Sequence, residues 1–225
     1  MEVFYYPKGK HKRVQNPRKF RRYRTYKKYL QLEFGRTCVY CRQPDTSAPN
    51  LSFGVDHYRP KSVFPALVCD YENLYYCCGN CNTYKSDYWP IDEKKGPVIV
   101  NPCDHVMASH LHFDKTSGEV NSKDFHGAHT VTLLNLNDPS VVEYRLNTLM
   151  AIAQLRINII KTQSQRQKLD RAFSLGKISP LVHGQKSIEI EDRLKRFESM
   201  LESHTGAKKV KPLPSTRLGV RLSSP

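Results

Sequence analysis

Two Cys-x-x-Cys pairs, Cys38/Cys41 and Cys78/Cys81, stand 36 residues apart and bracket an Asp-His dipeptide, Asp56-His57, with two asparagines, Asn73 and Asn82. Thiolates two residues apart let one tight loop present two sulfurs to a single ion. Two such loops complete the tetrahedral set that Zn²⁺ takes in structural sites. Cys77 competes with Cys78 as a ligand, but only Cys78 keeps the two-residue spacing to Cys81. The Asp56 carboxylate and the Asn82 amide are oxygen donors suited to a hard catalytic cation, Mg²⁺ or Mn²⁺. His57 is the candidate general base, because a free imidazole titrates at about 6.5 and is largely able to accept a proton at neutral pH. Asn73 is expected to fix the loop and the imidazole by hydrogen bonds. Arg59, Lys61 and Lys85 lie close enough in sequence to neutralise phosphates. Those parts meet the needs of phosphodiester hydrolysis: a water made nucleophilic, and charge relief on the phosphate oxygens.

The elements that must hold these groups follow from the local pattern. Residues 51–57 alternate in polarity and read as a strand running into the Asp-His pair, and residues 73–78 as a short strand or turn. The second cysteine loop is expected to open a helix over about 80–88, with Asn82 on its first turn. Asp56 and His57 would point to opposite faces of a strand, so the backbone must bend there if both are to reach one phosphate. Residues 16–34 read as a basic helix, capped by Asn16, with Pro17 in its first turn and Gly35 as its stop. Phe20, Tyr23, Leu30 and Phe34 give it one apolar stripe that packs on the body, leaving Arg18, Lys19, Arg21, Arg22 and Arg24 toward a phosphate backbone.

Beyond Gly96 the chain changes character. Residues 96–102 resemble a short buried strand, and 110–120 a hairpin turning near Ser117-Gly118. A long helix is expected over 138–172, capped by Asp138 or Ser140, with Val142, Leu146, Leu149, Ala153, Leu155 and Ile159/Ile160 on its apolar face. A second helix, over about 187–203, carries Ile190, Leu194, Phe197 and Leu201. His105, His110, His112, His126 and His129 are either a second metal site or ordinary surface and core histidines. Cys69 and Cys103 read as buried thiols. The chain thus divides into a basic N-terminal segment (1–36), a zinc-knuckle module (37–92), a mixed and helical region (93–204) and a basic, disordered tail (205–225).

Charge points to the same partner. Of the formal +15, residues 1–36 carry +10 and residues 205–225 carry +5, so the centre of the chain is neutral. Basic ends of this kind attract polyanions by counterion release. No apolar run approaches the eighteen or so residues of a membrane span, and the opening MEVFYYPKGKHKR has no apolar core of a secretory signal. Cysteines paired at metal spacing in a chain without an export signal suit a reducing compartment rather than a disulfide framework.

The order Cys-x-x-Cys, Asp-His, Asn, Cys-x-x-Cys-Asn resembles the ββα-metal or HNH endonuclease signature, in the variant whose final histidine is Asn. It is similar as well to the target-strand nuclease domain of RNA-guided CRISPR effectors. The resemblance implies an α+β fold in which a structural zinc ties the module together. It assigns Asp56 and Asn82 to the catalytic cation, His57 to the base and Asn73 to an orienting role. VDHYRPKS, NLYYCCGNCNTYKSD, VNPCDH, HLHFD, GEV and TVTLLNLND followed by Arg145 resemble more closely the HNH component of Septu-type antiphage systems, the PtuB family, found also with some retrons. That likeness spans residues 37–146 and implies a prokaryotic cytoplasmic nuclease restrained or licensed by an SMC-like ATPase of PtuA type, acting on nucleic acid, with DNA favoured over RNA. Two other readings compete: a free-standing restriction-type nuclease with its own sequence reader, and a zinc-knuckle nucleic-acid-binding module without activity.

Overall fold

A computed structural model describes residues 2–46 and 52–206. The expected tail beyond Gly206, and Leu51 at the start of the expected first strand, lie outside those residues. The architecture is α+β: two small antiparallel sheets, short helices around them, and two long C-terminal helices.

The basic helix expected over 16–34 is shorter than its stripe suggested. A single 3₁₀ turn, Tyr23–Tyr26, leads into α1, Lys27–Glu33, and residues 11–20 have no regular structure. Inside the lost part, the Phe20 N–H donates at 2.9 Å to Tyr26 Oη instead of to a helical carbonyl, and Glu33 holds the segment just before it extended. Its buried carboxylate accepts the backbone N–H groups of Val14 and Gln15, both at 2.8 Å, and meets His11 Nε2 at 2.6 Å. Those amides are satisfied by one side chain in an extended strap, so they need no helical ladder. Arg13 anchors the strap beside it, with its guanidinium over Phe34, Tyr71 and Tyr75 and a 2.9 Å bond to the Leu74 carbonyl. Leu30 and Phe34 are buried as the stripe required, and Gly35, at φ +57°, ends the helix in the conformation glycine adopts without steric cost.

Strand β1, Phe53–His57, pairs antiparallel with β2, Leu74–Cys78, in a register running from Phe53 opposite Cys78 to His57 opposite Leu74. Helix α2, Gly79–Lys85, follows β2 directly. Every residue of β2 is buried, and Phe34 stacks on Tyr75 while Phe53 stacks on Tyr76, contacts worth about 1 kcal/mol each beyond their buried area. The α1 side, this hairpin and the N-terminal strap share one core with Tyr26, Tyr40 and Val100.

The strand expected at 96–102 does not form, although Ile99, Val100 and Asn101 are buried. Side chains take the place of a neighbouring strand. The N–H groups of Val98, Val100 and Asn101 donate to His126 Nδ1, Thr130 Oγ1 and His105 Nδ1, and the Ile99 carbonyl accepts from Tyr58 Oη. After α3, Met107–His110, the expected hairpin is present as β3, Leu111–Phe113, and β4, Val120–Ser122. Helix α4, Phe125–Leu133, leads to α5, Pro139–Ser174, capped by Asp138 on the Ser140 N–H rather than by Ser140. The buried face of α5 runs through Arg145, Thr148, Ile152, Leu155 and Thr162, so Ala153 and Ile160 from the expected apolar face are exposed. Helix α6, Pro180–Thr205, starts earlier than its apolar pattern, because Ser179 caps it and Pro180 presets its first turn. It ends at Gly206, φ +74°. No helix among the described residues is long and apolar enough to cross a membrane.

Candidate active site

The four knuckle cysteines form one buried cluster, their sulfurs all within 4.8 Å of one another. Cys41 Sγ and Cys78 Sγ are 3.7 Å apart. Sulfurs at the corners of a tetrahedron about Zn²⁺, with Zn–S near 2.3 Å, lie about 3.8 Å apart, so the cluster fits the ion. The loops are built to bring them there. Thr37 and Pro44 bridge across the first knuckle, the Cys38 N–H bonds the Gln43 carbonyl, and the Val39 N–H reaches Tyr76 on β2. In the second, Cys78 is the N-cap of α2 and Cys81 lies in its first turn, where the positive end of the helix favours thiolates. A Cβ on Gly79 would stand 2.4 Å from Ser52 Oγ, so Ser52 would have to turn away. Cys77 is buried outside the cluster, and the seven cysteines are all free thiols.

Asp56 and His57 occupy the end of β1, and both line a cavity of about 170 Å³ with Tyr23, Val55, Pro60, Lys61, Asn82, Ser86 and Asp87. The two adjacent side chains reach one space because the strand stops at His57 and the chain turns away through Pro60. Asp56 is buried and held from two sides, by Tyr40 Oη on one carboxylate oxygen and Lys85 Nζ at 3.0 Å on the other. Lys85 also donates to the His57 carbonyl at 2.7 Å. With 1% of its surface exposed, Lys85 is a buried counter-charge to Asp56, not the phosphate-facing lysine its sequence position suggested. Sequence reasoning missed Tyr40, whose only signal was its place between Cys38 and Cys41.

His57 Nε2 lies 3.0 Å from the Val68 carbonyl, and the ring meets Tyr23 edge to face at 4.6 Å between centroids. A carbonyl only accepts, so Nε2 carries the proton and Nδ1 is left with the lone pair. Burial holds the His57 imidazole below its ordinary range; the Val68 bond and Asp56 oppose that, and Lys61 and Lys85 reinforce it. Val68 acts through its backbone, which no side-chain pattern reveals. Asn73 does fix the loop, since its amide accepts from the Arg59 N–H and donates to the Arg59 carbonyl. It makes no bond to the imidazole; Val68 and Tyr23 perform that task. The Asn82 side chain forms no hydrogen bond among the described residues and faces the cavity unconstrained.

Around this cavity the charges are uneven. Arg21, Arg22 and Arg24 are exposed and line a groove with Tyr23, Thr25, Val68 and Cys69, so Tyr23 and Val68 join the groove to His57. Lys61 is exposed on the cavity wall. Arg59 lies over Phe64 and Trp89 and pairs with Glu93 at 3.5 Å, which leaves it half exposed. Arg18 is exposed over the ring of Phe20, off that groove.

Two curated proteins are similar to the chain. Septu protein PtuB of Bacillus thuringiensis is 34% identical over 101 residues, a stretch covering 44% of this chain and 36% of that protein. Septu protein PtuA of Bacillus mycoides is 26% identical over 144 residues, covering 52% of this chain and 20% of that protein. The chain therefore spans about a third and a fifth of these relatives' lengths. No family model matches it, and no solved structure does. On these similarities the chain is a relative of the Septu proteins PtuB and PtuA.

Proposed function

We propose that this chain is a metal-dependent HNH endonuclease, hydrolysing phosphodiester bonds in nucleic acid, with DNA favoured over RNA. It would serve as effector nuclease of an antiphage defence system in a prokaryotic cytoplasm, under control of an SMC-like ATPase of PtuA type. One observation carries the catalytic reading. The imidazole of His57 has its Nε2 committed to Val68 and lines the same cavity as Asp56 and Asn82. The strand, loop, strand, helix order from Phe53 to Lys85 and the cysteine cluster behind it support the ββα-metal assignment. Similarity to both Septu proteins supports the defence setting.

The donors fit a hard divalent cation. Each Asp56 oxygen has one protein donor and a lone pair to spare, and the Asn82 amide is uncommitted. Asp56 and Asn82 would hold Mg²⁺ or Mn²⁺, whose chemistry when bound is charge relief on the phosphate and its leaving oxygen. The protein's own groups do the rest. Neutral His57 takes the proton of the attacking water at Nδ1, and Tyr23 and Val68 keep the ring in one orientation. Asn73 pins the turn after β1 so that the base stays at the cavity. Lys61 and the arginines of the 21–24 turn hold the flanking phosphates. Zn²⁺ on the four cysteines ties the knuckles into the fold and takes no part in the reaction.

The test is Mg²⁺-dependent cleavage of plasmid and total RNA by the chain purified with its ATPase partner, wild type beside His57→Ala. The variant is expected to lose at least about a hundredfold in rate while still retaining nucleic acid. Equal cleavage by both proteins would overturn the assignment.

A further inference from the structure

We propose that His105, His110 and His126 form a phosphate-binding site separate from the His57 cavity. Of the five histidines in this part of the sequence, these three lie together. Their ring centroids are 5.3 Å apart for His105 and His110, 6.2 Å for His110 and His126, and 6.5 Å for His105 and His126. They come from the loop before α3, the last residue of α3 and the first turn of α4. Gly127 makes the meeting possible, because a Cβ there would stand 2.2 Å from the His110 carbonyl oxygen.

Hydrogen bonding fixes which nitrogen of each ring is engaged, and in which state. His105 Nδ1 accepts from the Asn101 N–H at 3.3 Å, and His126 Nδ1 from the Val98 N–H at 3.1 Å. A backbone amide only donates, so both rings are neutral with the proton on Nε2. His110 is the reverse: its Nδ1 faces the Asp124 carboxylate, which only accepts, so the proton sits on Nδ1. Among the described residues no Nε2 of the three has a hydrogen-bond partner. The trio therefore offers two Nε2–H donors, on His105 and His126, with the uncommitted Nε2 of His110 beside them.

That pattern selects the ligand. A transition-metal ion needs a bare nitrogen from every ring, usually with the other ring nitrogen donating to a carbonyl or carboxylate. Only His110 meets that condition; His105 and His126 would have to abandon a backbone amide. Among the described residues only the four cysteines form a compact metal-ligating group. An oxyanion with several acceptor oxygens suits spread N–H donors, and a phosphate group is the common biological one. The nearby acids are already engaged, Asp104 with the Asn101 amide and Asp124 with His110 and the Gly127 N–H. The phosphate could belong to a polynucleotide backbone or to a free phosphate ester, and none of the three histidines lines the His57 cavity.

The experiment is a titration of the full chain, zinc-loaded and carrying His57→Ala to prevent cleavage. Imidazole Cε1–Hε1 resonances are followed with inorganic phosphate, with a DNA duplex and with Ni²⁺ in separate arms. Inorganic phosphate is expected to move the three rings together with one dissociation constant, on the order of millimolar, as for a few charge-assisted bonds at a wet site. His183 should not respond. His126→Asn keeps an acceptor for the Val98 N–H but removes Nε2, and should weaken binding about tenfold or more. A response to the duplex alone assigns the phosphate to a polynucleotide and upholds the site; a response to both assigns the phosphate group itself. Silence of the three rings in both phosphate arms overturns the proposal. So does saturable, one-to-one ordering of the three rings by Ni²⁺ without any phosphate response. None of these readings depends on catalysis at His57.

Discussion

Lys85 Nζ stands 3.0 Å from Asp56 Oδ1 and donates at 2.7 Å to the carbonyl of His57, so one buried ammonium ties α2 to the two residues that end β1. The pair is almost wholly out of water, and a buried charge stripped of its partner is costly. Lys85→Met should lower unfolding stability by about 3–5 kcal/mol, measured by chemical denaturation of the zinc-loaded protein. Adding Asp56→Asn should restore much of that loss, because Tyr40 can still donate to the amide oxygen. A Lys85→Met cost below about 1 kcal/mol would mean the ion pair is not formed in solution.

A pH profile tests the base. Burial lowers the His57 pKa, so the imidazole stays neutral to more acid pH than a free histidine does. Protonation removes the base, and activity should fall as pH drops through a limb centred below about 6.5. The measurement is kcat/KM against pH at saturating Mg²⁺. Substituting Tyr23 by Leu removes the ring packed on the imidazole and should move that limb or reduce kcat, with KM little changed. A limb above neutrality would contradict the buried setting of His57.

Local pattern made the knuckles, both strands of the first hairpin, α2 and the β3–β4 hairpin legible, because spacing and alternation are local properties. What escaped the sequence was decided by partners far away in it. Tyr26 Oη takes the Phe20 N–H inside the expected basic helix, and Glu33 holds Val14 and Gln15 just before it in an extended strap. Residues 96–102 look like a strand by composition, yet His126, Thr130 and His105 supply the bonds a neighbouring strand would have given. Lys85 read as phosphate-facing because it lies close in sequence to the other site residues; burial against Asp56 is a tertiary fact. The tautomer of His57 depends on a backbone carbonyl at Val68, and carbonyls leave no trace in residue identity.

Removing the metal should unfold the knuckles. Four thiols packed this closely without an ion lose the binding energy that offsets their burial, and structural zinc supplies on the order of 10 kcal/mol of folding free energy. Cys41→Ser and Cys81→Ser are each expected to yield insoluble or unfolded protein, while Cys77→Ser leaves zinc content unchanged. Elemental analysis should find one zinc per wild-type chain. Soluble, folded Cys81→Ser protein, or wild type without zinc, would sink the structural-zinc assignment.

The arginine groove can be separated from the chemistry by salt. Arg21, Arg22 and Arg24 are exposed beside Tyr23, whose ring touches His57, so a strand entering the cavity would pass over them. A cation that meets a duplex phosphate releases condensed counterions, and each contact adds about 0.9 to the slope of log affinity against log salt. Arg22→Ala should weaken binding of any duplex to a similar degree, lower the slope by about one, and leave kcat at saturating substrate unchanged. Arg18, placed over Phe20 and off the groove, serves as the comparison: Arg18→Ala should change the slope less. Binding isotherms of the His57→Ala protein between low and physiological salt measure both variants without cleavage. An Arg22→Ala slope equal to wild type would remove the groove from the path of the nucleic acid, whatever the fate of His57.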